Sequence, residues 1–297
     1  LEEVMRKYIG EISLIITAFI WGSGFVVTSI SLDYYSAYQN MAVRFLIGGV
    51  ILGLFFYKKM KHVKTETILK GAILGSILYL AFALQTVGLQ FTTPSKNAFL
   101  TAVNVVIVPF LGWAIYKKRL DKFEVVGAVL AMLGIGLLSL RFSAELNIGD
   151  ILSFLCAIVF AFHIIYTAKF VKTEDPINLT VVQLFTAAVL GFVILVFRGE
   201  AAVPIVDGAV FSLVYLGIFG TAAAFLLQTM AQKFISETKA AIILSTESFW
   251  GMVLSIAVLG EVITLKMAAG AALILLAILI SETKPRLFKA MPLRGKM

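Results

Sequence analysis

Ten apolar runs of about twenty residues each, joined by connections as short as four or five residues, leave this chain little choice of environment. Breaking the sequence at its charged and turn-forming residues places them at 8–30, 36–57, 67–90, 95–116, 122–140, 147–170, 177–197, 208–232, 238–260 and 263–281. A bilayer core takes about 20 apolar residues per helix. Strands fit poorly, because the runs are twice the length of a barrel strand and do not alternate polar with apolar. Composition agrees: 60% of the 297 residues are hydrophobic and 14% charged, against about 45–50% and about 25% in soluble domains. The expected fold class is an all-α integral membrane protein with ten transmembrane helices. No small-residue cleavage site follows the first run, which reads as a span and not as a removed signal peptide.

Other classes are disfavoured on the same grounds. The net charge of +8 does not imply nucleic acid, since Lys and Arg cluster between apolar runs and leave no basic face for phosphates. The single cysteine, Cys156, excludes an intramolecular disulfide and a cysteine metal site. No cofactor or metal is expected. The basic residues do set an orientation. Twenty fall on one side, from Arg6 and Lys7 through the loop lysines to the tail, against Lys96, Arg141, Arg198 and Lys266 on the other. Both termini are therefore expected in the cytoplasm, as an even number of spans requires.

The chain also repeats itself. LQTVGLQFTTPSKNA (Leu84–Ala98) and LQTMAQKFISETKAA (Leu227–Ala241) match with a lysine at the same place, Lys96 and Lys239. The match extends outward. Gly10-Glu11-Ile12 aligns with Gly149-Asp150-Ile151, Gly24 with His163, Arg44 with Gln183, and Asn104 with Glu247. The offset is 139 residues early and 143 later, a drift assigned to one longer connection. The units are 1–144 and 145–283, each of five helices, followed by a basic tail, 284–297. Five is odd, so the second unit enters the membrane from the opposite side. Such inverted repeats belong to secondary transporters, which alternate access around a midplane site.

Three stretches carry a family resemblance: IWGSGF (Ile20–Phe25), the run Gly88–Trp113, and Leu244–Thr264 with its LSTESFW and LGEVIT segments. They resemble the ten-helix EamA-type transporters of the drug/metabolite transporter superfamily. The resemblance implies export or exchange of a small metabolite, often an amino acid or related compound, across the inner membrane of a bacterial cell. The chain departs from a common pattern of the family where Lys118 stands opposite Glu261. A phosphate-ester or nucleotide-sugar exchanger of the same superfamily is the alternative, and would recruit Lys96 and Lys239 for phosphate charge. A receptor or assembly subunit without transport is a different class. An intramembrane enzyme is not expected, for no HExxH helix is present, His62 lies in a loop, and spacing gives His163 no partner.

Ionisable and amide groups inside apolar runs are costly and usually face a cavity or a partner. Glu247, with Asn104 as its counterpart, is the candidate substrate-amine or proton site; the alternative is a structural carboxylate. Arg44 either reads a substrate carboxylate or pairs with backbone. His163 is a candidate proton shuttle or a packing histidine. Gln85 and Gln228 line a cavity or bridge helices. Trp21, Trp250 and Tyr79 wall a pocket for an apolar cargo or simply pack. Pro109 is the candidate hinge. Lys96 and Lys239 occupy helix N-terminal turns, where the dipole disfavours a cation; they reach lipid phosphates or take part in gating. The expected partners are a small-molecule cargo, the lipid bilayer and, as a coupling ion, the proton.

Overall fold

The computed structural model describes residues 2–117, 122–139 and 147–283, and all regular structure among them is helical. In chain order the helices are α1 (Glu2–Leu32), α2 (Ala37–Phe55), the short α3 (Tyr57–Met60), α4 (Thr65–Leu89), α5 (Pro94–Ala102), α6 (Asn104–Tyr116), α7 (Lys122–Ser139), α8 (Ile148–Phe170), α9 (Pro176–Arg198) and α10 (Val210–Gly217). A π-helical segment, Ile218–Ala223, joins α10 to α11 (Ala224–Ala231), and α12 (Glu237–Ser245), α13 (Glu247–Leu259) and α14 (Leu265–Thr283) complete the chain. Each apolar run falls on helix, with ends within two residues of those expected, except that α1 already begins at Glu2. Eight of these segments are long and apolar enough to cross a membrane; α7 and α14 contribute shorter apolar stretches, Val125–Gly134 and Leu265–Ala277, and pack on one another.

The distribution of side chains is that of a protein solvated by lipid. Phe197 is 86% exposed and Leu54 70%, whereas Asn40, Gln183, Ser248 and Ser255 are fully buried. Lipid tails are as apolar as leucine, so burial of apolar area gives no drive for helix association and close van der Waals packing must supply it. Small residues permit that approach. A Cβ at Gly71 would fall 2.6 Å from Val182 and one at Gly75 2.6 Å from Thr186, so α4 and α9 touch nearly backbone to backbone. Gly22 of α1 does the same against Trp250 of α13.

Turns are fixed by polar caps. Ser36 accepts from Gln39 N in a capping box, Thr93 from Lys96 N, Asp175 from Ile177 and Asn178 N, and Ser236 from Lys239 N, each satisfying a helix-end donor.

Three features differ from the sequence reading. The fourth run is interrupted at Val103, whereas Pro109, the candidate hinge, lies inside continuous α6. The ninth run breaks at Thr246, the position that corresponds to Val103 in the repeat. In both, the break is a tight turn in which the residue three further on donates back to it, Val106 to Val103 O at 2.9 Å and Phe249 to Thr246 O at 3.1 Å. Because the second copy has Met252 where the first has Pro109, proline does not cause the break. Finally, α9 has 23 residues against 19 in α2, one helical turn more, so the drift in repeat offset arises largely within a helix and keeps its faces in register.

Candidate functional site

The two breaks position the site. Asn104 opens α6 and Glu247 opens α13, each immediately after its break, and both face one central cavity. Around them stand Trp21 and Thr28 of α1, Arg44 of α2, Phe82 and Gln85 of α4, Phe160 of α8 and Gln228 of α11. The cavity measures about 40 Å³, room for a few waters and far less than a metabolite needs. Among the described residues Glu247 has no hydrogen-bond or ion-pair partner, although it is 94% covered. Asn104 Oδ1 and Gln228 Oε1 are likewise buried without a donor. Three unsatisfied acceptors thus share one cavity, an arrangement that a hydrogen-bond donor of positive charge would relieve.

Arg44 supplies the opposite sign. Its Nε donates to Thr221 Oγ1 at 3.0 Å, its Nη2 to the Gly220 carbonyl at 3.3 Å, and its guanidinium sits 4.5 Å from the Phe82 ring centroid. Trp21 Nε1 donates to the same Gly220 carbonyl at 3.1 Å. Both contacts land on the π segment, a wider helical turn that is found disproportionately at functional sites. No carboxylate neutralises Arg44 among the described residues, so neutral dipoles and an aromatic face hold a buried cation in reach of the cavity.

Comparison with known proteins identifies this architecture. The model of the EamA-like transporter family matches the chain twice, over residues 8–140 and 147–283. The chain belongs to the EamA-like transporter family. An uncharacterized transporter of Archaeoglobus fulgidus is 35% identical over 279 residues, covering 94% of this chain and 87% of its own. The uncharacterized transporter YyaM of Bacillus subtilis is 25% identical over 277 residues, covering 88% and 89%. A solved crystal structure superposes with a TM-score of 0.72 at 15% identity, over 97% of this chain and 99% of its own, a likeness of fold. These relatives place the chain among membrane transporters of the drug/metabolite superfamily.

Within the EamA-like fold, the residues singled out by sequence separate into two groups. Trp21, Gln85, Asn104, Gln228, Glu247 and Arg44 line the cavity. His163, Tyr79 and Trp250 do not. His163 is fully buried, its Nε2 lies 2.9 Å from Gln183 Oε1, and its ring meets Phe225 edge-on. The repeat's counterparts of Gly24 and Arg44 are therefore bonded to each other. Tyr79 packs into the aromatic and aliphatic cluster around Phe45, Phe82 and Phe225. Trp250 turns away from the cavity, between Phe19 and Phe249. Lys96 and Lys239 reach carboxylates, not open space: Lys96 Nζ is 3.6 Å from Asp150, and Lys239 bonds to Glu11. Lys118 lies outside the described residues, while its partner in the repeat, Glu261, accepts from Ser95 N and Oγ and from Ser255 Oγ. The aromatic wall of Phe82 and Phe160 was missed by sequence reading, for with 24 phenylalanines in the chain no single one is conspicuous.

Proposed function

We propose that the chain is a secondary transporter of the cell's inner (plasma) membrane that exports a small metabolite carrying both a cationic and an anionic group, an amino acid or related compound. Its ten helices form two inverted five-helix units, 1–144 and 145–283, with both termini cytoplasmic. Alternating access moves the cargo past the cavity. The observation that carries this reading is the pairing of opposite charges in one cavity: Arg44 from the first unit and the partnerless Glu247 from the second. A cargo ammonium satisfies Glu247, Asn104 Oδ1 and Gln228 Oε1; a cargo carboxylate meets the fork of Arg44. Trp21, Phe82 and Phe160 then accept the apolar remainder. Glu247 is the one acidic residue of the lining and so the candidate for exchanging a proton when cargo leaves.

A phosphate ester is favoured less, because Lys96 and Lys239, the cations it would call on, are outside the cavity lining and already paired. Proteoliposome counterflow decides the matter. Preloaded amino acids are expected to drive uptake of a labelled amino acid, and Glu247→Gln to abolish it. Counterflow indifferent to Glu247→Gln, or supported by sugar phosphates alone, overturns the assignment.

A further inference from the structure

Two ion pairs tie the repeated units together, and one is the image of the other. Lys96, third residue of α5, reaches Asp150 in the first turn of α8; Lys239, third residue of α12, reaches Glu11 of α1. The repeat aligns Lys96 with Lys239 and Asp150 with Glu11. Each lysine therefore crosses to the carboxylate of the other unit. The surroundings are duplicated as well. Lys96 N donates to Thr93 Oγ1 and Lys239 N to Ser236 Oγ, both at 3.4 Å. The glycine before each carboxylate lets its helix press on the turn before the lysine. A Cβ at Gly149 would fall 2.9 Å from Phe91, and one at Gly10 3.0 Å from Ile235.

The pairs sit at opposite ends of the molecule. Lys239 stands in the first turn of the 23-residue segment Glu237–Leu259, which at 1.5 Å per residue spans about 35 Å. Beyond its far end, Glu261 bonds to Ser95, the neighbour of Lys96. The cavity lies between, only about 40 Å³ in volume with both pairs made. A helix N-terminus disfavours a cation, so neither lysine is placed to stabilise its own helix. Asp150 is 98% covered at the side chain; Thr92 Oγ1 donates to its Oδ1 at 2.5 Å, and Lys96, 3.6 Å from its Oδ2, supplies the countercharge for as long as water is kept away. When that end opens, both ions hydrate and the pair is dispensable.

We propose that Lys96–Asp150 and Lys239–Glu11 are the two latches of the transport cycle, one at each mouth, released in turn. The inference rests on the transporter reading, but its test needs no cargo. Purified full-length protein with Cys156→Ala carries a single reporter, Thr28→Cys on the Lys96 side of Trp21 or Leu244→Cys on the Lys239 side, and is reacted with a polar maleimide. Lys96→Gln is expected to accelerate labelling of the first reporter roughly tenfold, the scale of one lost partly covered pair, and not the second. Lys239→Gln is expected to do the reverse. The exchange Lys96→Asp with Asp150→Lys restores slow labelling, and Lys96→Arg never loses it. Equal acceleration at both reporters, or at neither, overturns the latches. Counterflow that persists in that case separates their failure from failure of the transporter reading.

Discussion

Arg44 and Glu247 are an unusual pair of ionisable groups: both are covered, both line the cavity, and neither has an ionic partner among the described residues. A buried polar group left unsatisfied costs about 1–3 kcal/mol, more when charged, so Glu247 is poised to gain from a donor, and Arg44, hydrogen-bonded to neutral groups only, from an opposite charge. Arg44→Lys is expected to weaken cargo binding about tenfold or more, because an ammonium cannot make the guanidinium's bidentate contact; isothermal titration against the counterflow substrate measures it. The identity of these two residues was legible in the sequence, since ionisable groups within apolar runs are rare and expensive. What Trp250 and His163 do was not. A tryptophan one turn from Glu247 points into or away from a cavity according to helix rotation, which packing against Gly22 decides.

At the level of helices, the discontinuities at Val103 and Thr246 recur in both units, whereas the proline stands in one. Pro109→Ala is expected to leave transport within about twofold, since the matching break in the second unit forms without proline. Gly75→Leu is expected to be destructive. Its side chain would enter space held by Thr186 and the Gln183 backbone, and overpacking of this kind costs about 1–3 kcal/mol or more, read as a lowered Tm by thermal shift in detergent. The run lengths made helix placement legible to within two residues at nearly every end. The breaks were invisible, because Val103 and Thr246 are ordinary residues with no shared chemistry: Val103 is buried, whereas Thr246 is exposed with its hydroxyl on the Ile243 carbonyl at 2.7 Å.

For the molecule as a whole, a carboxylate in a connection between spans contributes a response to acid. Glu174, in the connection between α8 and α9, accepts from Lys70 Nζ at 2.7 Å and from Thr67 Oγ1 at 2.5 Å, and the Lys70 bond first of all holds its carboxyl below the usual glutamate range. A lowered folded value means stability that is present above the ordinary glutamate range and is lost as pH falls through the folded one. Tm is therefore expected to fall on acidification below about pH 4.5, and less steeply in Glu174→Gln. The doubling of the chain was legible in its internal sequence match, and the family model matches it twice, over residues 8–140 and 147–283. The narrowness of the cavity was not legible, because it depends on how the apolar helices rotate against one another.

The carbonyl of Gly220 receives both Trp21 and Arg44, and this carries a consequence for how the protein can be dissected. A backbone oxygen survives every side-chain replacement, so an alanine scan passes over the atom on which α1, α2 and the π segment converge. Only its neighbours can be moved: a side chain at Gly220 would begin 3.1 Å from Arg44 Nη2 and displace the guanidinium. The cleaner edit is subtraction. A π turn is one residue too many for an α-helix, so deleting Ala223 should restore ordinary winding while later residues such as Gln228 keep their faces. The genetic handle on this acceptor is a missing codon.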